Sequence, residues 1–120
     1  MRCGFSLADG AAAVRVLLAS DTRFDGIVCF TDTVAMGALR ALADHGIGVP
    51  DDVLVTGFDD IEQAAYSVPS LTSVSPGHAG MVDAALRMLT ERIAGRRDAD
   101  THEEFTGRHR LVVRQSTGGP

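Results

Sequence analysis

The chain has 120 residues, an apolar fraction of 45% and a net charge of -5. That length supports one domain with a sizeable core, and the acidic balance excludes a segment that grips nucleic acid through its own surface, which needs a basic face. No apolar run approaches the roughly 18 residues of a membrane span.

The opening MRCGFSLADG lacks the apolar core of a secretory leader. Cys3 and Cys29 form no disulfide framework, and Cys29, inside an apolar run, reads as a small buried hydrophobe. A reducing cytoplasm is the expected compartment. The first element is a helix over Ser6 to Ser20. Ser6 is placed to cap it, Asp9 favours the positive end of its dipole, and Leu7, Ala11, Val14 and Leu18 share one face. Gly10 inside it costs roughly 1 kcal/mol against Ala. Asp21 to Asp25 turns the chain into an apolar strand, Gly26 to Phe30.

The next helix runs from about Thr33 to His45, with Val34, Ala38 and Leu42 on its apolar face. Asp32 is the expected N-cap and Gly46 the left-handed stop. Pro50 lies in the loop that leads to a second strand, Val53 to Gly57. Strand, helix and strand make a βαβ unit, whose two strands run parallel through a right-handed crossover. The polar clusters Thr31-Asp32 and Asp59-Asp60 follow the two strands, so both belong to one sheet edge. Ligands of open α/β sheets bind beyond that edge.

After Asp60 come a short helical piece from Ile61 to Ser67, a break at Val68-Pro69-Ser70, and a strand from Leu71 to Ser75. A long helix from about His78 to Ala94 repeats Val82, Leu86, Leu89 and Ile93 at helical spacing and ends at Gly95. Arg96 to Asp100 reads as a solvated loop, His102 to Phe105 and Leu111 to Arg114 as two more strands, and Ser116 to Pro120 as a polar tail.

No phosphate-cradling loop, nucleophile elbow or nucleophile–base pair occurs, so no catalytic residue is assigned. The four histidines lack metal-ligand spacing, which leaves no metal site and no cofactor. In the turn Gly57-Phe58-Asp59-Asp60, a carboxylate at a strand's end suits a fork of hydrogen bonds from the hydroxyls of a sugar or nucleoside. The same carboxylates also suit a plain cap for the turn at Ile61. Thr31 and Asp32 face the same two readings, ligand contact or helix cap. Phe5 is either core or an aromatic that stacks on a sugar face.

These segments in order, FTDTVAMGALRALADHGIGVPDDVLVTGFDD, VPSLTSV and LVVRQST, closely resemble the C-terminal part of effector-binding domains in the lactose/galactose repressor (LacI/GalR) family of bacterial transcription regulators. The resemblance spans about Phe5 to Thr117. It implies a periplasmic-binding-protein-like (type I) α/β fold, a parallel sheet flanked by helices, present here in incomplete form. Residues 1–75 would be the C-terminal effector-binding subdomain, 76–101 the crossover and a helix of the N-terminal subdomain, and 102–120 returning strands and tail. It further implies a small-molecule effector, a sugar or a nucleobase-like molecule, held by Phe5, Thr31, Asp32 and Asp59. A homodimer would form through Met36, Arg40, Tyr66, Ser67 and Val68. Operator DNA would be bound only through an N-terminal helix-turn-helix that this sequence lacks, with no membrane involved. Two departures stand out: Thr31 replaces the Asn of many members, and Ser75 precedes Pro76 where Gln is frequent. If the helix at His78 to Ala94 belongs to a subdomain otherwise missing, its apolar stripe is unmated, and a fragment would hide it by dimerising or exchanging elements between copies. The alternative is a fragment of a periplasmic-type sugar-binding protein for transport. A small α/β enzyme is the third reading, without a supporting motif.

Overall fold

The computed structural model describes residues 4–96 and 102–120. Its elements are α1 (Leu7–Leu18), β1 (Gly26–Val28), α2 (Asp32–Asp44), β2 (Leu54–Phe58), α3 (Glu62–Tyr66), β3 (Thr72–Ser75), α4 (His78–Ile93), β4 (Arg110–Val112) and a final 3-10 turn (Gln115–Thr117). The chain divides into two compact units, residues 4–75 with 111–120, and residues 76–110.

The first unit is built on the sheet, whose strand order is β1-β2-β3-β4. β1 pairs parallel with β2 (Val28 opposite Thr56), and β2 parallel with β3 (Phe58 opposite Val74). The expected βαβ unit is therefore present. Its core gathers α1, α2 and the strands around Val14, Ala35, Ala38, Leu42, Val55, Ala64 and Leu71, with Cys29 buried among them. α1 starts with a full capping box: the Asp9 N–H donates to Ser6 Oγ, and Asp9 accepts from the Ser6 N–H.

Gly10 has a structural reason. A Cβ there would collide with the backbone carbonyl of Val34, and one at Gly37 would collide with that of Leu7. α1 and α2 thus approach backbone to backbone, and two glycines make the approach possible.

Three expectations are corrected. α2 is capped by Thr31, not Asp32: Thr31 Oγ1 accepts from the Val34 N–H at 3.2 Å, and Asp32 is the first helical residue. His102 to Phe105 forms no strand. The segment read as a polar tail, Ser116 to Pro120, is tied into the sheet at its first residue. Ser116 is fully buried, its hydroxyl donates to the Val55 carbonyl at 2.6 Å and accepts from the Thr72 N–H at 2.8 Å. The last residues thereby stitch β2 to β3. The loop expected at Arg96 to Asp100 lies, beyond Arg96, outside the described residues, as does Cys3.

The second unit is α4 with the segment that follows it. Ala84 is the buried residue of α4, Gly80 faces the Phe105 ring, and Arg87 bridges Glu103 at 2.6 Å. The stripe Val82, Leu86, Leu89 and Ile93 is exposed, from 54% to 77%.

Candidate functional site

The parallel register sets the edge where function is expected. The chain leaves β1 through Cys29, whose N–H donates to the Thr56 carbonyl at 2.9 Å, and reaches Thr31. It leaves β2 at Phe58 and enters Asp59 and Asp60, both with left-handed backbones (φ 108° and 53°). Neighbouring parallel strands deliver both clusters to the same carboxyl edge.

Beneath this rim lies Asp32, with no exposed surface. Its two oxygens are engaged inside the protein: Oδ1 accepts from Ser73 Oγ at 2.6 Å and Oδ2 from the Ile61 N–H at 2.9 Å. Ser73 Oγ in turn accepts from the Asp60 N–H at 3.0 Å, and the Asp59 N–H donates to the Val74 carbonyl at 3.0 Å. Asp32 therefore joins the start of α2 to β3 and to Ile61 just after the acidic turn, and through Ser73 to the Asp60 N–H. It acts from underneath, as the support on which Asp59 and Asp60 rest. Gly57 belongs to the same arrangement, because a Cβ at that position would run into the Asp32 carboxylate and lie 3.1 Å from Leu71 Cδ2.

Asp59 and Asp60 are half-buried, as is Thr31, whose Oγ1 is engaged in the α2 cap. The Asp60 carboxylate is held by Arg114 Nη2 at 2.7 Å, and Arg114 Nη1 donates to the Leu71 carbonyl at 2.8 Å. Arg114 and Ser73 are site-supporting residues that the sequence did not single out. The final LVVRQST motif was the available signal for Arg114. Phe5 is 73% exposed, next to the N-cap Ser6 on the lead-in to α1. Of the other singled-out residues, Met36 is half-buried on α2 and Arg40 is exposed and paired with Asp44 at 2.8 Å. Tyr66 and Val68 are exposed, and the hydroxyl of half-buried Ser67 donates to the carbonyls of Ala64 and Pro69. Among the described residues no group of acidic, His and Cys side chains could hold a metal ion. No helix among them is long and apolar enough to cross a membrane.

Burial pushes the Asp32 carboxyl above its ordinary value of 3.8. The charges of Asp59 and Asp60 push the same way, and the hydrogen bonds from Ser73 and Ile61 oppose them. The folded state then holds this proton to higher pH than the unfolded chain does. The associated stabilisation is complete below 3.8 and is lost as pH rises through the folded value. Urea unfolding from acid to neutral pH should show wild type losing stability relative to Asp32→Asn as pH rises. A wild-type advantage that grows with pH would mean that the hydrogen bonds outweigh desolvation.

Comparison with known proteins places this architecture. Residues 4–117 match the family model described as a periplasmic binding protein-like domain. The HTH-type transcriptional regulator MalR of Streptomyces coelicolor is 41% identical over 113 residues, covering 94% of this chain and 32% of MalR. The solved LacI-type transcription regulator of Bifidobacterium animalis superposes with a TM-score of 0.89 at 38% identity, covering 93% of this chain and 39% of that one. The transcriptional regulator CelR, solved as a complex with cellobiose, superposes with a TM-score of 0.83 at 34% identity over 95% of this chain and 34% of that one. The chain spans about a third of the length of the curated relatives it matches. It belongs to the periplasmic binding protein-like domain family, as the form of that domain carried by LacI-family transcriptional regulators.

Proposed function

We propose that this chain is the ligand-sensing part of a bacterial transcriptional regulator. In this reading it binds a small polyhydroxylated effector, a sugar before a nucleobase, at the rim formed by Thr31 and Asp59. One observation carries the reading: two parallel strand ends deliver these residues to one edge, above a buried carboxylate that holds the acidic turn. A charge-bearing acceptor at a strand's carboxyl end suits paired hydroxyl donors. The cellobiose complex of CelR supports the choice of a sugar. Phe5 supplies an apolar face for stacking, and Asp32 serves through the turn. The wider assembly is a cytoplasmic homodimer that uses Met36, Arg40 and Tyr66 to Val68, with operator DNA held by a helix-turn-helix elsewhere in a longer chain. Effector binding would then bias two states of that protein and so its affinity for the operator. No enzymatic step is part of this reading.

Calorimetric titration of the full regulator with a panel of mono- and disaccharides that includes cellobiose tests it. Asp59→Ala should weaken binding of the retained sugar at least about tenfold, the loss of a charge-assisted hydrogen-bond pair. Wild-type affinity in that variant removes Asp59 from the site.

A further inference from the structure

We propose that Arg114 is a positioning residue for Asp59, acting through Asp60. This rests on the effector reading of Asp59 given above. Arg114 follows β4, 54 residues from Asp60 in sequence, and its side chain is 18% exposed against 12% for Asp60. The guanidinium divides its donors between two targets. Nη2 holds Asp60 Oδ1 at 2.7 Å and Nη1 holds the Leu71 carbonyl, at the residue before β3, at 2.8 Å. The fork is itself anchored by its backbone: the Arg114 N–H donates to Thr72 Oγ1 at 2.8 Å, and Thr72 Oγ1 donates to the Arg114 carbonyl at 3.1 Å. A planar, always-charged group tied at both ends fixes direction as well as distance.

That direction matters because Asp59 and Asp60 are consecutive non-glycine residues with positive φ, 108° and 53°. L-residues leave such conformations unless the surroundings hold them. The Asp60 N–H is held by Ser73 Oγ and its carboxylate by Arg114, so both ends of the residue are clamped. With Asp60 held, the peptide that carries Asp59 stays in the orientation that places its side chain at the rim. Releasing the Asp60 carboxylate would let the turn relax towards ordinary backbone angles, loosen the Asp59 N–H bond to the Val74 carbonyl and move Asp59 away, with the pairing of β1, β2 and β3 intact.

The test compares amide hydrogen exchange in the wild-type chain, Arg114→Met and Arg114→Lys. Met keeps most of the aliphatic bulk and removes the fork. In Arg114→Met the Asp59 and Asp60 amides should exchange at least about tenfold faster relative to the Leu42 amide in the core of α2, which reports global opening. Arg114→Lys, which keeps the charge but cannot reach both acceptors in the same way, should give a smaller rise. No change at Asp59 and Asp60, or equal acceleration at Leu42, overturns the proposal, since a merely stabilising residue would loosen the whole unit alike. This readout needs no ligand. Wild-type sugar affinity in the Asp59→Ala titration would remove the effector reading, whereas the exchange result decides the clamp.

Discussion

Gly37→Ala is expected to destabilise the chain by about 3 kcal/mol, the upper end of the ordinary penalty for overpacking. The added Cβ meets the Leu7 carbonyl and lies 3.0 Å from the Ala11 N. Both are backbone atoms of α1, so no side-chain rotation relieves the contact and one helix must move. The movement would propagate through Ala35, Ala38 and Leu42, which are essentially fully buried. For a domain of this size the melting temperature should fall by roughly 10 °C. Gly26→Ala is the control, because its Cβ would meet nothing nearer than the Leu54 carbonyl at 3.9 Å. Equal melting temperatures for the two variants would show that α1 and α2 are not in backbone contact.

Asp32→Ala has the second large effect, and it connects stability with binding. It leaves two donors without their acceptor, the buried Ser73 Oγ–H and the half-buried Ile61 N–H. Each orphaned donor costs about 1–3 kcal/mol. Relief from burying a carboxyl offsets part of this, so a net loss of about 3 kcal/mol is expected in urea unfolding. In the full regulator the same variant should weaken effector binding although Asp32 has no exposed surface. Wild-type stability would show that the turn holds itself without Asp32.

The outline of the site was legible because periodicity and turn chemistry are local. Two apolar runs around an amphipathic helix were enough to put Thr31 and Asp59 on one edge, and Ser6, Gly46 and Gly95 marked helix ends. What escaped depends on partners distant in sequence. Thr31 and Asp32 are both good caps by composition. The choice between them follows from Ser73, 41 residues on, and Ile61, 29 residues on, which draw the Asp32 carboxylate inward and leave the cap to Thr31. Gly10 reads as a weakness of α1 until α2 is laid against it. Ser116 to Pro120 has the composition of a tail, yet Ser116 is buried and bonded to Val55 and Thr72. His102 to Phe105 carries too little apolar alternation to win a place in the sheet, and Phe105 packs on Gly80 instead.

The most direct measurement is a crystal structure of the full regulator with its bound sugar. The Asp59 carboxylate should accept hydrogen bonds from sugar hydroxyls at the carboxyl ends of β1 and β2, with Thr31 beside it and Asp32 still buried against Ser73 and Ile61. A sugar seated away from that edge, with Asp59 turned from it, would contradict the assignment.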